Sequence, residues 1–202
     1  MLVSEKPAET AKERIMDAAE RLFMAKGYAA VTLRDVGAGL GLSHAALYYH
    51  FPGGKEALFL EVTERNIRRH GAGLDEAIRA NGPNLRSRLR AVADWLLSQA
   101  PMDLMRMVQS DLAAFPTAEA RRVMNLVNEL VIQRLRRLIE EAVAAGDIGP
   151  CDPALVGGGI LGMVESLNSI PDFALRRSRA EMAYELLDII LRGLDFKEGA
   201  NA

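Results

Sequence analysis

An all-α protein is predicted, with a three-helix helix-turn-helix head at the N-terminus and a larger helical body behind it. Apolar residues recur at helical spacing, and no alternating strand pattern or internal repeat competes with them. The composition, 50% hydrophobic but only 5% aromatic, suits helices rich in Ala, Leu and Met. Residues 32–55, TLRDVGAGLGLSHAALYYHFPGGK, read as a short helix, a glycine turn, a second short helix and a turn into a third.

The elements follow in order. Thr10 and Glu13 make a capping box, in which hydroxyl and carboxylate each satisfy an orphan backbone N–H. Ile15, Ala18, Ala19, Leu22 and Phe23 then form one buried stripe, and Gly27 is expected to end that helix as a left-handed cap. Thr32 with Asp35 opens the next helix, which is expected to hold Gly37 and Gly39 inside it. Each glycine costs about 1 kcal/mol against alanine there, which implies a soft or close-packed helix. Gly41 marks the turn, and Ser43 is the N-cap of the helix that follows. Pro52-Gly53-Gly54 breaks the chain, and a longer helix starts near Lys55. Further helices are expected over 84–99, 102–114 and 117–145, with Gly146 and Gly149-Pro150 as the stop. Asp152-Pro153, a cap residue followed by proline, starts a helix to about Ser169. Ser178 with Glu181 caps the last one, to about Leu194. The first eight residues and the tail KEGANA are expected to be mobile.

Bulk properties restrict the function. The net charge of -2 and a pI near 6.0 exclude a coat protein that holds nucleic acid through overall charge. Any DNA binding must come from a local basic patch. The one cysteine, Cys151, allows no intrachain disulfide and points to a reducing cytoplasm. No signal peptide or membrane span is read, so a cytoplasmic protein is expected.

The chemistry concentrates in 32–55. Val36, Leu40, Leu42 and Leu47 have the spacing that locks two short helices across a tight turn. Ser43, His44, Ala45, Tyr48, Tyr49 and His50 remain for the outer face of the second helix. Two adjacent tyrosines and a histidine cannot all enter one core, and outward they meet phosphates and base edges. Small residues among them let a helix sit deep in a major groove.

Residues 10–60 resemble the N-terminal domain of TetR-family transcriptional regulators. The text that carries it is AKGYAAVTLRDVG, then GLGLSHAALYYHF, then KEAL. The resemblance implies that Ser43, His44, Ala45, Tyr48, Tyr49 and His50 belong to the recognition helix. It assigns Thr32, Arg34 and Lys55 to phosphate or nearby contacts. It also implies a DNA-binding domain over 1–55 and an effector-binding and dimerising body over 56–202. His44 and Ala45-Ala46 depart from the family's commoner residues, and the Pro52-Gly53-Gly54 linker is one residue longer than its commonest form.

In the body, the Met-rich stretch between Trp95 and Val127 suits an adaptable cavity. With the resemblance, Trp95, Met105, Val108, Gln109, Leu112, Phe115, Met124, Val127 and Glu165 are expected to line an effector pocket for an apolar or amphipathic molecule. Asp111 is expected either to orient that ligand or to face solvent. Gly158 and Gly162, four apart on one helix face, imply close backbone approach. With Leu187, Ile190 and Leu194 they are assigned to a two-fold dimer interface.

Catalysis has little support. His44, His50 and His70 lack metal-ligand spacing, and no metal site or cofactor is expected. Cys151 lies beside a helix start, which favours a thiolate, but no histidine is near it in sequence. The expected function is a homodimeric, ligand-responsive repressor on a double-stranded DNA operator, not an enzyme. The alternative is a helical small-molecule binding protein whose head does not read DNA.

Overall fold

The computed structural model describes residues 10–99 and 106–194. Both chain ends and the first part of the 102–114 helix, with Met105, lie outside the described residues. The described residues are helices, turns and loops, with no strand. They are α1 (Ala11–Ala30), α2 (Leu33–Ala38), α3 (His44–His50), α4 (Gly54–Ala80), α5 (Leu85–Ser98), α6 (Thr117–Val127), α7 (Gln133–Ala145), α8 (Pro153–Asn168) and α9 (Arg179–Leu194). The chain divides into two compact units, Met1–Asn66 with Leu104–Val123, and Ile67–Asp103 with Met124–Ala202.

In the first unit, α1 brings Ile15, Ala19 and Phe23 inward, and these are at most 1% exposed. Leu58, Phe59 and Val62 of α4 are buried with them. Glu20 is buried as well, and it is answered: Arg65 reaches it at 2.7 Å and Asn66 Nδ2 donates to it at 3.1 Å. Arg65 also contacts Asp17 at 2.7 Å, so one guanidinium ties α4 to α1.

Gly27 breaks α1 but does not end it. Its φ of 77° and ψ of 167° leave the helical region, and helical turns resume up to Ala30. An unbroken helix would run a bond from Tyr28 N–H to the Met24 carbonyl. Here both groups find side chains instead. Tyr28 N–H donates to Asp111 Oδ1 at 2.8 Å, and Arg106 Nη1 donates to the Met24 carbonyl at 2.9 Å. Asp111 is therefore buried, at 6% exposure, and neither faces solvent nor stands free for a ligand. The backbone carrying it is not the α-helix expected over 102–114. Met107–Asp111 is a π turn and Leu112–Ala114 a 3-10 turn. π turns inside α-helices are frequent at functional positions, and 3-10 turns are common at helix ends.

The second unit packs α7 on α8, α9 on α5, and α8 against both α5 and α9. Its core includes Leu89, Val92 and Leu96 from α5, Leu135 and Ile139 from α7, Val164 from α8 and Leu187 from α9. The helix expected over 117–145 contains another π turn, Asn128–Ile132. A π turn misaligns local carbonyls, and Arg134 Nη1 donates to the Glu129 carbonyl at 3.0 Å. The same guanidinium holds Asp75 on α4 through bonds of 2.7 and 2.8 Å. Gly71 of α4 has no room for a side chain, since a Cβ there would meet the Leu130 carbonyl at 2.9 Å. No helix among the described residues is long and apolar enough to cross a membrane.

The capping boxes at Thr10–Glu13 and Thr32–Asp35 are both formed, and Ser178 exchanges bonds with Glu181 in the same way. Hydrogen bonds from the cap residues hold the Glu13, Asp35 and Glu181 carboxyls below their ordinary values of 4.5, 3.8 and 4.5. A carboxyl whose folded value is lowered contributes stability above its unfolded value, and loses it as pH falls through the folded one. Urea midpoints should therefore fall as the solution is acidified below those ordinary values. The combination of Glu13→Gln, Asp35→Asn and Glu181→Gln should flatten that fall. An equally steep fall in the triple variant would place the acid sensitivity elsewhere.

Candidate DNA-reading head

The pairing of α2 with α3 starts from a glycine. A Cβ on Gly37 would lie 2.9 Å from the Leu42 carbonyl oxygen and 3.0 Å from Leu47 Cδ1. Only a bare backbone lets the helices approach this closely, so the cost of glycine in α2 is offset by packing. Gly37 accepts from Leu40 N–H and Leu42 N–H, both at 3.0 Å, and Gly41 takes a φ of 66° at the turn. Gly39 is not inside α2, as the sequence suggested, but is its C-cap. The apolar stripe breaks one turn early because the chain must reverse at Gly41.

Ser43 caps α3 by accepting from Ala46 N–H at 3.2 Å. Leu47, 1% exposed, anchors that helix inward. Ser43, His44, Ala45, Tyr48 and Tyr49 are all on the exposed side, and His50 is half-buried. Tyr49 is 83% exposed. Tyr48, 43% exposed, lies edge-on to His44 at 4.8 Å, with its hydroxyl beside Gly54 at the start of α4. A groove of about 830 Å³ brings Thr32, Arg34, His44, Tyr48 and Lys55 to one concavity. The Thr32 hydroxyl is engaged by Asp35 at 2.6 Å, which fixes the edge of that groove. Lys55 holds its ammonium 4.1 Å from the centre of the Tyr28 ring.

Residues 15–62 match the model of bacterial regulatory proteins of the tetR family, and 83–175 match the C-terminal domain of AefR-like transcriptional repressors. The chain belongs to the TetR family. That family is one of transcriptional regulators, not enzymes. Among TetR-type relatives, the regulator LmrA of Bacillus subtilis is 45% identical over 51 residues, 25% of this chain and 27% of LmrA. The match thus spans about a quarter of that relative's length. The TetR-family regulator PfmR of Thermus thermophilus is 28% identical, with a TM-score of 0.71 over 91% of this chain and 100% of PfmR. AibR, solved with isovaleryl coenzyme A and operator DNA, shares the fold at 17% identity. Its TM-score is 0.73 over 89% of this chain and 97% of AibR.

The residues assigned to an effector pocket are divided between the units. Val108, Gln109, Leu112 and Phe115 belong to the first, and Trp95, Met124, Val127 and Glu165 to the second. Leu112, Phe115 and Val127 are buried, whereas Val108 is 47% exposed. On α8, Gly158 and Gly162 have nothing within 4 Å of where a Cβ would stand. Leu187 has no exposed surface, so it belongs to the core of its own subunit and not to an interface. The helical period turns Leu186 and Ile189 outward instead, at 36% and 50% exposure. Ile190 and Leu194 are half-buried. Burial and the neighbouring Asp152 push the Cys151 thiol up, opposite to the effect expected of a helix start.

The sequence names Asp111 only as a ligand-orienting or solvent-facing residue and does not show that Asp111 and Arg106 hold the backbone around Tyr28. AKGYAA signals a helix break followed by an aromatic. Nothing local signals that side chains about eighty positions later close that break.

Proposed function

We propose that this chain is a homodimeric, sequence-specific DNA-binding repressor acting in the cytoplasm. A head over 1–55 reads the operator, and a body over 56–202 binds a small apolar or amphipathic effector and the second subunit. The observation that carries this reading is the outward face of α3, with Leu47 as its inward anchor and the α2–Lys55 groove beside it. The AefR-like match over 83–175 favours repression, and AibR offers the precedent of a relative that meets both an acyl thioester and operator DNA.

Two recognition helices would enter successive major grooves of a near-palindromic site. The effector must bind the DNA-incompetent conformation more tightly, with α4 shifting the heads away from groove spacing. A differential of about 3 kcal/mol would weaken operator binding on the order of a hundredfold. Mobility shifts on DNA upstream of the coding region, followed by selection from random duplexes, test the reading. A complex that is sequence-preferring and salt-sensitive is expected, and its absence with every duplex would refute DNA reading. Trp95 is the only tryptophan, so its emission reports effector binding in the second unit directly.

Dimerisation is assigned to the outward face of α8 and α9, where Leu155, Gly158, Gly162, Leu186 and Ile189 leave apolar or bare backbone surface. Changing Gly158 and Gly162 together to alanine separates two outcomes. On a free helix face each substitution stabilises by about 0.5–1 kcal/mol. Against a second copy each methyl holds the backbones apart. Sedimentation should show a wild-type dimer that the double variant weakens by about tenfold or more, roughly 1.4 kcal/mol. A more stable variant with unchanged association would remove this face from the interface.

A further inference from the structure

Lys55 stands at the edge of the α2–α3 groove, and its ammonium rests on the face of Tyr28. An ammonium over a ring face is held by the ring's quadrupole, yet it keeps its outer side for an anion. The position of the ring thus decides where that charge is offered.

The ring is fixed from the far side. Tyr28 meets Phe59 at 4.9 Å and Phe115 at 4.7 Å between centroids, and Phe59 and Phe115 stack at 5.3 Å. Its backbone N–H is held by Asp111. Arg106 donates to the Phe23 and Met24 carbonyls at 3.3 and 2.9 Å, and its Nε lies 3.6 Å from Asp111 Oδ2. Residues 106–115 therefore grip both sides of the break at Gly27, the carbonyls before it and the amide after it. The break itself needs glycine, since φ is +77° and a Cβ would lie 3.3 Å from Asp111 Oδ1. Burial and the nearby Glu56 carboxylate push the Tyr28 hydroxyl up, which keeps the ring a neutral phenol.

Resting on the reading of the head as a DNA binder, we infer that Tyr28 and Asp111 are positioning residues for Lys55, which places its ammonium against a backbone phosphate. Through them, the 106–115 segment sets how tightly the head grips DNA. A change in that segment alters a phosphate contact without moving any base-reading side chain of α3.

The probe is a labelled duplex selected by the wild-type protein from random DNA, titrated by the full-length chain from low to high KCl. A lost phosphate contact flattens the plot of log affinity against log salt by about 0.9 per contact. Tyr28→Leu should flatten it by about one to two for a dimer, as Lys55→Met does, with about a tenfold or greater loss at low salt. The double variant should be no weaker than Lys55→Met alone, because both changes remove the same contact. Tyr28→Phe should retain the wild-type slope, and Asp111→Ala should lie between. Should Tyr28→Leu fail to fold, pentafluorophenylalanine at position 28 keeps the ring's shape and reverses its quadrupole, and the slope should still flatten. A wild-type slope in the fluorinated protein, or additive losses in the double variant, overturns the positioning role and leaves DNA binding intact. Failure of the wild-type protein to select any duplex overturns the regulator reading itself.

Discussion

Replacing Tyr49 with alanine is expected to lower operator affinity by about a thousandfold while shifting thermal unfolding by no more than about 2 °C. The side chain is 83% exposed, next to the buried anchor Leu47 on α3, and it contributes almost nothing to the core. Exposed substitutions of this kind stay within about 0.5 kcal/mol of wild type. A base-edge contact contributes about 1–3 kcal/mol, and a two-fold dimer loses it twice. About 4 kcal/mol in total gives the thousandfold figure. The slope against salt should not change, because no phosphate contact is removed. That separates Tyr49 from Lys55 and Tyr28, whose loss should flatten the slope. Tyr48 is the weaker probe, since its ring also packs on His44 and Gly54 and its removal disturbs the end of α3. An undiminished affinity in the Tyr49 variant, measured by fluorescence anisotropy on the selected duplex, would move base reading off the outward face of α3.

The second large effect is on stability. A Cβ on Gly73 would stand 1.9, 2.1 and 2.5 Å from Trp95 Cε2, Cζ2 and Nε1. Glycine inside a helix normally costs about 1 kcal/mol, so replacing it should help. Here overpacking opposes that gain. The indole is rigid, and it is pressed onto the bare backbone of α4. Gly73→Val should lose about 3 kcal/mol, since valine recovers little helix propensity and inserts two methyl groups into the ring's place. For a chain of this length that lowers the melting temperature by about 6–12 °C. Trp95 emission should shift in the folded variant, because the ring must leave its seat. Gly39→Ala is the control, since a Cβ there meets nothing nearer than the Val36 carbonyl at 3.8 Å and should leave the Trp95 spectrum unchanged. A Gly73 variant that melts with the wild type would show that the indole yields at little cost.

The head was readable wherever a local rule applied. Thr10–Glu13, Thr32–Asp35 and Ser43 announce helix starts through their own side chains, and all three caps are formed. Gly37 inside a short helix implies either a soft helix or close packing, and the close approach to the Leu42 carbonyl is the one that forms. The failures share one cause. Gly39 was placed inside α2, since periodicity alone does not show where the chain must turn. Leu187 was placed on an interface because a broad apolar face does not say which part another helix of the same subunit covers. The π turns at 107–111 and 128–132 insert a residue without disturbing the apolar pattern enough to be seen. Asp111 ends the polar run Gln109-Ser110-Asp111, and its partner is a backbone amide eighty-three positions earlier. Backbone donors leave no mark in a sequence, so the closing of the α1 break became visible only in three dimensions.

The seven-residue α3 is anchored in its own domain by one deeply seated leucine, and its outward Ala45 and Tyr49 contribute little to the core. Such a segment behaves as an exchangeable cassette. Libraries varied at Ala45 and Tyr49 should retain folding almost without exception, and retargeted sensors are open to selection from this scaffold by binding alone.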